Sequence, residues 1–267
     1  MEVFVINSIR AKFTRGEEVK YISHLDLMKM FERALRRSGL PIAYSKGFNP
    51  HPQLVFGLPL SVGVTSEAEY LDLDFDIELE PDEFTERLNK FLPRGVVITD
   101  AKKKTEKSNI MASIAGATYE ILISSSTYVE MDQIKNILRS FLERDEIIIQ
   151  KQSKSKVKMV DIRPMIHSIY IKSINVKGDK LHLENDICDD PWILNYVEKF
   201  YDDLPENLFC LSMVLSAGSV ANLKPEYLVK ALNNVYDCDF EIIKIHRSGL
   251  LTGKAERFTD PLNEVYN

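Results

Sequence analysis

Cysteine, phosphate-cradling glycine loops and long apolar runs are all scarce in this sequence, and each shortage removes a class of function. Cys188, Cys210 and Cys238 stand 22 and 28 residues apart, which supplies neither a disulfide framework nor a metal-binding pair two residues apart. They read as reduced, mostly buried thiols. No run approaches the roughly 18 apolar residues that a bilayer-crossing helix needs. The opening stretch MEVFVINSIRAKFTR has no apolar block between a basic head and a small-residue cleavage site. A cytoplasmic protein without a membrane partner is the expectation. Walker A and Gly-x-Gly-x-x-Gly patterns are missing, and no set of three or four ligands is spaced for a metal, so neither metal nor cofactor is expected. The net charge of −6 argues against a generic polyanion binder, and DNA is not expected, because such affinity comes from neutralising phosphates with Lys and Arg.

What is present is unevenly distributed. Residues 1–60 hold nine Lys/Arg against five acids, whereas residues 61–100 hold eleven acids against three bases. A basic surface of this kind can engage RNA locally. A length of 267 residues at 45% apolar composition predicts two domains.

The first hundred residues read as strand, helix, strand, strand, helix, strand. Val3–Phe13 is rich in β-branched and aromatic residues. Ser23 opens a helix in the pattern Ser-x-x-Asp, with Leu27, Met28, Phe31, Ala34 and Leu35 as its apolar stripe, until Gly39 and Pro41 stop it. Leu40–Tyr44 and Gln53–Phe56 flank a loop in which Gly47, Pro50 and Pro52 forbid a regular ladder. Leu71, Leu73, Phe75 and Ile77 alternate with Asp72, Asp74 and Asp76, the signature of a half-buried antiparallel strand. Pro81 begins a second helix, and Val96–Asp100 closes the unit. The order βαββαβ predicts a ferredoxin-like domain over 1–101. A lysine-rich linker at 102–117 follows, then a second ferredoxin-like unit with an insertion over 118–249 and a loosely ordered tail at 250–267. The expected class is α+β with antiparallel sheets, and Asn185–Asn207 reads as an acidic, irregular segment.

Several residues are candidates for chemistry. His24 and His51 fit a metal or acid–base pair, or else a first-turn histidine and a loop histidine bonded locally. Lys29, Arg33, Arg36 and Arg37 form either a solvated helix face or a phosphate-tracking one, with Lys46, Phe48 and Asn49 supplying charge, stacking and hydrogen bonds from the loop. Asp161 and Arg163 stand two apart at a strand end, as a structural pair or turn or as a catalytic carboxylate and its partner. Lys151, Lys154, Lys156 and Lys158 cluster at a hairpin tip, solvated or probing RNA. Gly218, Ser219 and Asn222 precede a helix, as ordinary caps or as an anion site.

The blocks Ser23-His24-Leu25-Asp26-Leu27-Met28, Gly47-Phe48-Asn49-Pro50-His51-Pro52, Glu69-Tyr70, Asp161-Ile162-Arg163-Pro164 and Ala217–Pro225 resemble the radical-SAM-linked family, a bacterial domain of unknown function. Members stand alone or form the C-terminal part of radical-SAM enzymes. The resemblance implies a radical-SAM enzyme as partner. It does not imply a cluster here, because Cys-x3-Cys-x2-Cys is absent. The leading expectation is an accessory module that binds or presents RNA, tRNA or rRNA, for modification or maturation by that partner. The alternatives are an RNA-base-modifying enzyme of pseudouridine-synthase-like architecture using Asp161, and a protein adaptor docking through residues 185–207.

Overall fold

Apolar residues at helical spacing and a serine cap fix the first helix, α1 (His24–Ser38). The Ser23 hydroxyl accepts from the Asp26 N–H at 3.2 Å and donates to the Asp26 carboxylate at 2.7 Å. Gly39 ends the helix in the left-handed conformation, φ +64°. Leu27, Phe31, Ala34 and Leu35 are buried. The Phe31 ring meets Phe13 and Phe56 edge-on at 5.0 and 5.4 Å.

A computed structural model describes residues 7–105, 108–153, 156–177, 180–182, 191–200, 207–255 and 257–263. The chain divides into two units, residues 1–117 with 217–221 and 247–267, and residues 118–216 with 222–246. In the first unit α1 follows β1 (Ser8–Arg15) and precedes β2 (Leu54–Phe56), β3 (Thr65–Asp74), α2 (Pro81–Asn89) and β4 (Ile98–Lys103). The strand order is β4-β1-β3 with β2 on the other side of β3 over its final residues, and every one of these pairings is antiparallel. Both helices cover one apolar core, α2 contributing Phe84 and Leu88. A short helix α3 (Ile110–Ser113) leads into β5 (Ile114–Ser124), whose later residues belong to the second unit.

The second unit continues with α4 (Met131–Leu142), β6 (Ile148–Ser153), β7 (Lys156–Asp161), β8 (Ile166–Lys177), β9 (Lys180–His182), α5 (Pro191–Phe200), β10 (Leu208–Ser216), α6 (Pro225–Tyr236) and the start of β11 (Glu241–Lys254). Its strand order is β11-β5-β10-β8-β9, while β6 and β7 form a separate antiparallel ribbon. Ile193 and Val197 of α5 pack on Leu122, Leu208 and Cys210. Cys238 is half-buried and Cys188 lies outside the described residues. Both units are thus mixed α+β on largely antiparallel strands.

Four expectations need correction. The described residues after Gly249 are not a loose tail: β11 runs to Lys254, β12 (Arg257–Thr259) pairs with it, and Leu250, Thr252 and Leu262 are buried. Residues 102–117 are not a plain linker, since they hold the end of β4, all of α3 and the start of β5, with Ile110 fully buried. The acidic segment at 185–207 contains α5, because Trp192, Ile193, Tyr196 and Val197 recur at helical spacing among the polar residues. Asp72 is not on a solvated face. Its carboxylate accepts from Arg10 at 2.7 and 3.1 Å and from Lys104 at 2.8 Å, and both faces of β3 are covered there.

Candidate functional site

A helix turns 100° per residue, so positions 29, 33, 36 and 37 share an arc of roughly 100° opposite the apolar stripe. Lys29, Arg33, Arg36 and Arg37 are all exposed. Among the described residues Lys29, Arg33 and Arg36 enter no ion pair. Neighbouring cations of the same unit are neutralised, Lys20 by Glu17, Arg87 by Glu83, Lys90 by Glu86 and Arg94 by Glu18. The α1 face therefore keeps its positive charge within an acidic molecule.

Part of this face borders a groove of about 330 Å³ lined by Met30, Arg33, Ala34, Arg37, Lys90, Phe91, Leu92 and Pro93. The Arg37 guanidinium lies 5.3 Å from the centre of the Phe91 ring. Arg87 fixes the two helices that form the groove. It donates to the carbonyls of Ser38 and Gly39 at 3.1 and 2.7 Å, satisfying the open end of α1, and to Glu83 on its own helix at 2.7 Å. Sequence reasoning missed Lys90 and Phe91; the basic–aromatic pair at the end of α2 was the available signal.

The loop after α1 is closed by backbone bonds. The Ser45 N–H donates to the His51 carbonyl at 2.8 Å, the His51 N–H to the Ser45 hydroxyl at 3.0 Å, and Tyr44 bridges Pro52. Lys46, Phe48 and Asn49 stand on this closed loop, and the Phe48 ring is wholly exposed. None of the three lines the groove.

His24 and His51 do not form a pair. His24 packs edge-on against Phe56 at 5.4 Å. Burial, and then the positive charge of Arg15, push its pKa below the ordinary histidine value, with Glu69 opposing. His51 is exposed on the loop. Among the described residues no three His, Cys, Asp or Glu side chains converge as a metal would require, and no helix is long and apolar enough to cross a membrane.

Asp161 and Arg163 do not face one another as a reacting pair. The Asp161 carboxylate accepts from the backbone N–H of Ile147 at 2.9 Å and of Arg163 at 3.0 Å. The Arg163 guanidinium donates to the carbonyls of Leu142 at 2.9 Å and Ile166 at 3.3 Å. Both side chains hold a turn and the end of α4. Lys151 reaches the Asn222 carbonyl at 3.4 Å and lies over the Tyr227 ring at 5.6 Å, while Lys158 is exposed. Lys154 lies outside the described residues, and Lys156 is the first residue of β7. Gly218, at φ +128°, passes so close to the Ile114 carbonyl that an added Cβ would meet it at 2.2 Å. Its role is close packing.

The first unit also buries a set of arginines that local sequence does not announce. Arg247 donates to Glu69 at 2.6 and 2.8 Å, both side chains being nearly inaccessible, and to the Leu58 carbonyl at 3.1 Å. Arg15 gathers the carbonyls of Val19, Lys20, Ile22 and Leu60, fastening the approach to α1 and the loop before β3 onto the sheet. Burial lowers its pKa, Glu69 opposes this, and Arg247 adds to it. The Tyr70 hydroxyl donates to Asp260 at 2.7 Å, and burial with this carboxylate raises its pKa strongly.

A bacterial family described as "uncharacterized protein conserved in bacteria", DUF2344, has a sequence model that matches residues 8–225. The chain belongs to this family. The match to DUF2344 takes in α1, the loop, the groove and the Asp161 turn. No curated protein matches this DUF2344 chain. Among solved structures it is similar to a chain in the crystal structure of a Cbf5–Nop10–Gar1 complex, at 10% identity and TM-score 0.49, over 91% of this chain and 49% of that one. The archaeal box H/ACA sRNP Nop10–Cbf5 complex gives 9% identity and TM-score 0.42, over 91% and 47%. An H/ACA RNP bound to a substrate RNA containing 2′-deoxyuridine gives 10% and 0.39, over 90% and 46%. The DUF2344 chain spans about half the length of each of these chains.

Proposed function

We propose that this DUF2344 protein is a cytoplasmic RNA-binding module that uses the cationic face of α1, and that it serves a radical-SAM partner as the family resemblance implies. The observation that carries the RNA reading is the contrast within one unit: Lys29, Arg33 and Arg36 enter no ion pair among the described residues, while Lys20, Arg87, Lys90 and Arg94 are each paired with a carboxylate. Counterion release makes such charge a source of affinity for a phosphate backbone. The exposed Phe48 ring offers a second, sequence-tolerant contact by stacking. Two ferredoxin-like units are part of the proposal. The order β4-β1-β3-β2 in the first unit and β11-β5-β10-β8 in the second both follow the βαββαβ arrangement, with the β6–β7 ribbon and the β9–α5 segment as insertions. The Asp161 carboxylate, already engaged by two backbone N–H groups, is given no catalytic part.

The test is binding of a fluorescently labelled single-stranded RNA to wild type and to Arg36→Gln, followed by anisotropy. Arg36→Gln is expected to weaken binding severalfold for every RNA sequence alike, because a phosphate contact carries no sequence information. RNA binding that is absent from wild type, or unchanged by the substitution, contradicts the reading. For the partner, an affinity pull-down from the native bacterium after nuclease treatment should retain a protein with a Cys-x3-Cys-x2-Cys cluster motif; recovery of none contradicts that part.

A further inference from the structure

The groove between α1 and the end of α2 differs from the open cationic face in what it can hold. Its lining contains no acidic residue. Lys90 is already balanced by Glu86 at 2.8 Å, so the charge left to a ligand is that of Arg33 and Arg37, about one helical turn apart on α1. A phosphodiester within a strand carries one negative charge, whereas a terminal phosphomonoester carries about 1.5 to 2 near neutral pH. Two guanidinium forks match the terminal group in charge and in donors. Met30, Ala34, Phe91 and Leu92 supply the apolar part of the lining, and because the Arg37 guanidinium lies over the Phe91 ring, a base would enter beside Phe91 and not on the ring face that Arg37 covers. The groove is open to solvent and offers about 330 Å³, at the lower end of the volumes that hold a small ligand.

We propose that this groove is a subsite for the phosphorylated terminal nucleotide of a single-stranded RNA. Arg33 and Arg37 would take the phosphomonoester, and the base would lie on the Phe91 side. This rests on the RNA reading above and sharpens it: the α1 face supplies affinity for any strand, and the groove selects an end.

The experiment compares one internally labelled RNA carrying a 5′-phosphate, a 3′-phosphate or hydroxyls at both ends. Wild type, Arg33→Gln/Arg37→Gln and Lys29→Gln are each checked for folding by circular dichroism. One phosphorylated form should bind wild type about tenfold tighter than the hydroxyl-ended form, since charge-assisted hydrogen bonds are worth that much or more. The identity of that form tells which end is read. The double substitution should abolish the difference, and Lys29→Gln should weaken all three RNAs while preserving it. Equal binding of the three RNAs by wild type overturns the subsite while leaving the RNA reading intact. A parallel titration with adenosine monophosphate against adenosine, followed by NMR, separates the two claims. Monophosphate binding that is lost in the double variant, without any RNA binding, upholds the groove and rejects the RNA reading. No preference for the monophosphate over adenosine overturns the groove.

Discussion

Arg247 and Glu69 show what a single buried pair does in this protein. Each is nearly inaccessible, and together they tie β11 to β3 through side chains 178 positions apart. Removing one partner leaves a charge in a low-dielectric interior, which costs about 3–5 kcal/mol, whereas replacing both by apolar side chains is often close to neutral. Arg247→Met is therefore expected to lose several kcal/mol in urea denaturation, and Arg247→Met with Glu69→Leu should recover much of it. An additive double variant contradicts that account. His24 makes a prediction in pH. Its folded pKa lies below the ordinary value, so near pH 6 the unfolded chain binds the proton that the folded chain refuses. Stability from this group is complete well above about pH 6.5 and falls away as pH drops through that value toward the folded pKa. Urea midpoints between pH 7.5 and 5.5 should fall in wild type and fall less in His24→Gln; parallel curves contradict it. His167, also lowered by burial, accounts for part of the slope that remains.

At the scale of elements, the legible parts of the sequence were those whose causes are local. The Ser23–Asp26 cap, the α1 stripe and the Gly39 stop all lie within a few residues of what they fix. Ser23→Ala should cost about 1 kcal/mol in a thermal or urea melt, as caps of this type do; a loss below a few tenths would show that the cap is idle. The misread elements had distant causes. Asp72 looks solvent-facing by alternation, yet its partners Arg10 and Lys104 are 62 and 32 positions away. Gly249 reads as an end, yet it lies inside β11, whose residues up to Leu250 and Thr252 are buried by a sheet assembled from elsewhere in the chain. In α5 the apolar positions were present, but the surrounding acids drew the reading toward an irregular segment. The candidate site divides the same way. The cations of α1 were visible from helical periodicity, whereas the groove needs Lys90 and Phe91, which only the packing of α2 brings alongside.

For the molecule as a whole, the net charge of −6 and a cationic helix face are compatible because charge is distributed unevenly: Lys20, Arg87, Lys90 and Arg94 are paired with carboxylates, whereas Lys29, Arg33 and Arg36 enter no ion pair among the described residues. A general repulsion of polyanions by the net negative charge, combined with one focused cationic contact, predicts modest affinity with a definite salt dependence. Four cations contacting the phosphates of a single strand give a slope of about −3 in log K against log salt, at about 0.7 per contact. The most direct measurement is that slope for one single-stranded RNA, in wild type and in the Lys29→Gln/Arg33→Gln/Arg36→Gln/Arg37→Gln variant. The predicted result is a slope near the four-contact value in wild type that collapses toward zero, along with the affinity, in a variant that still melts like wild type; equal slopes and affinities in the two proteins would contradict the assignment of RNA binding to α1.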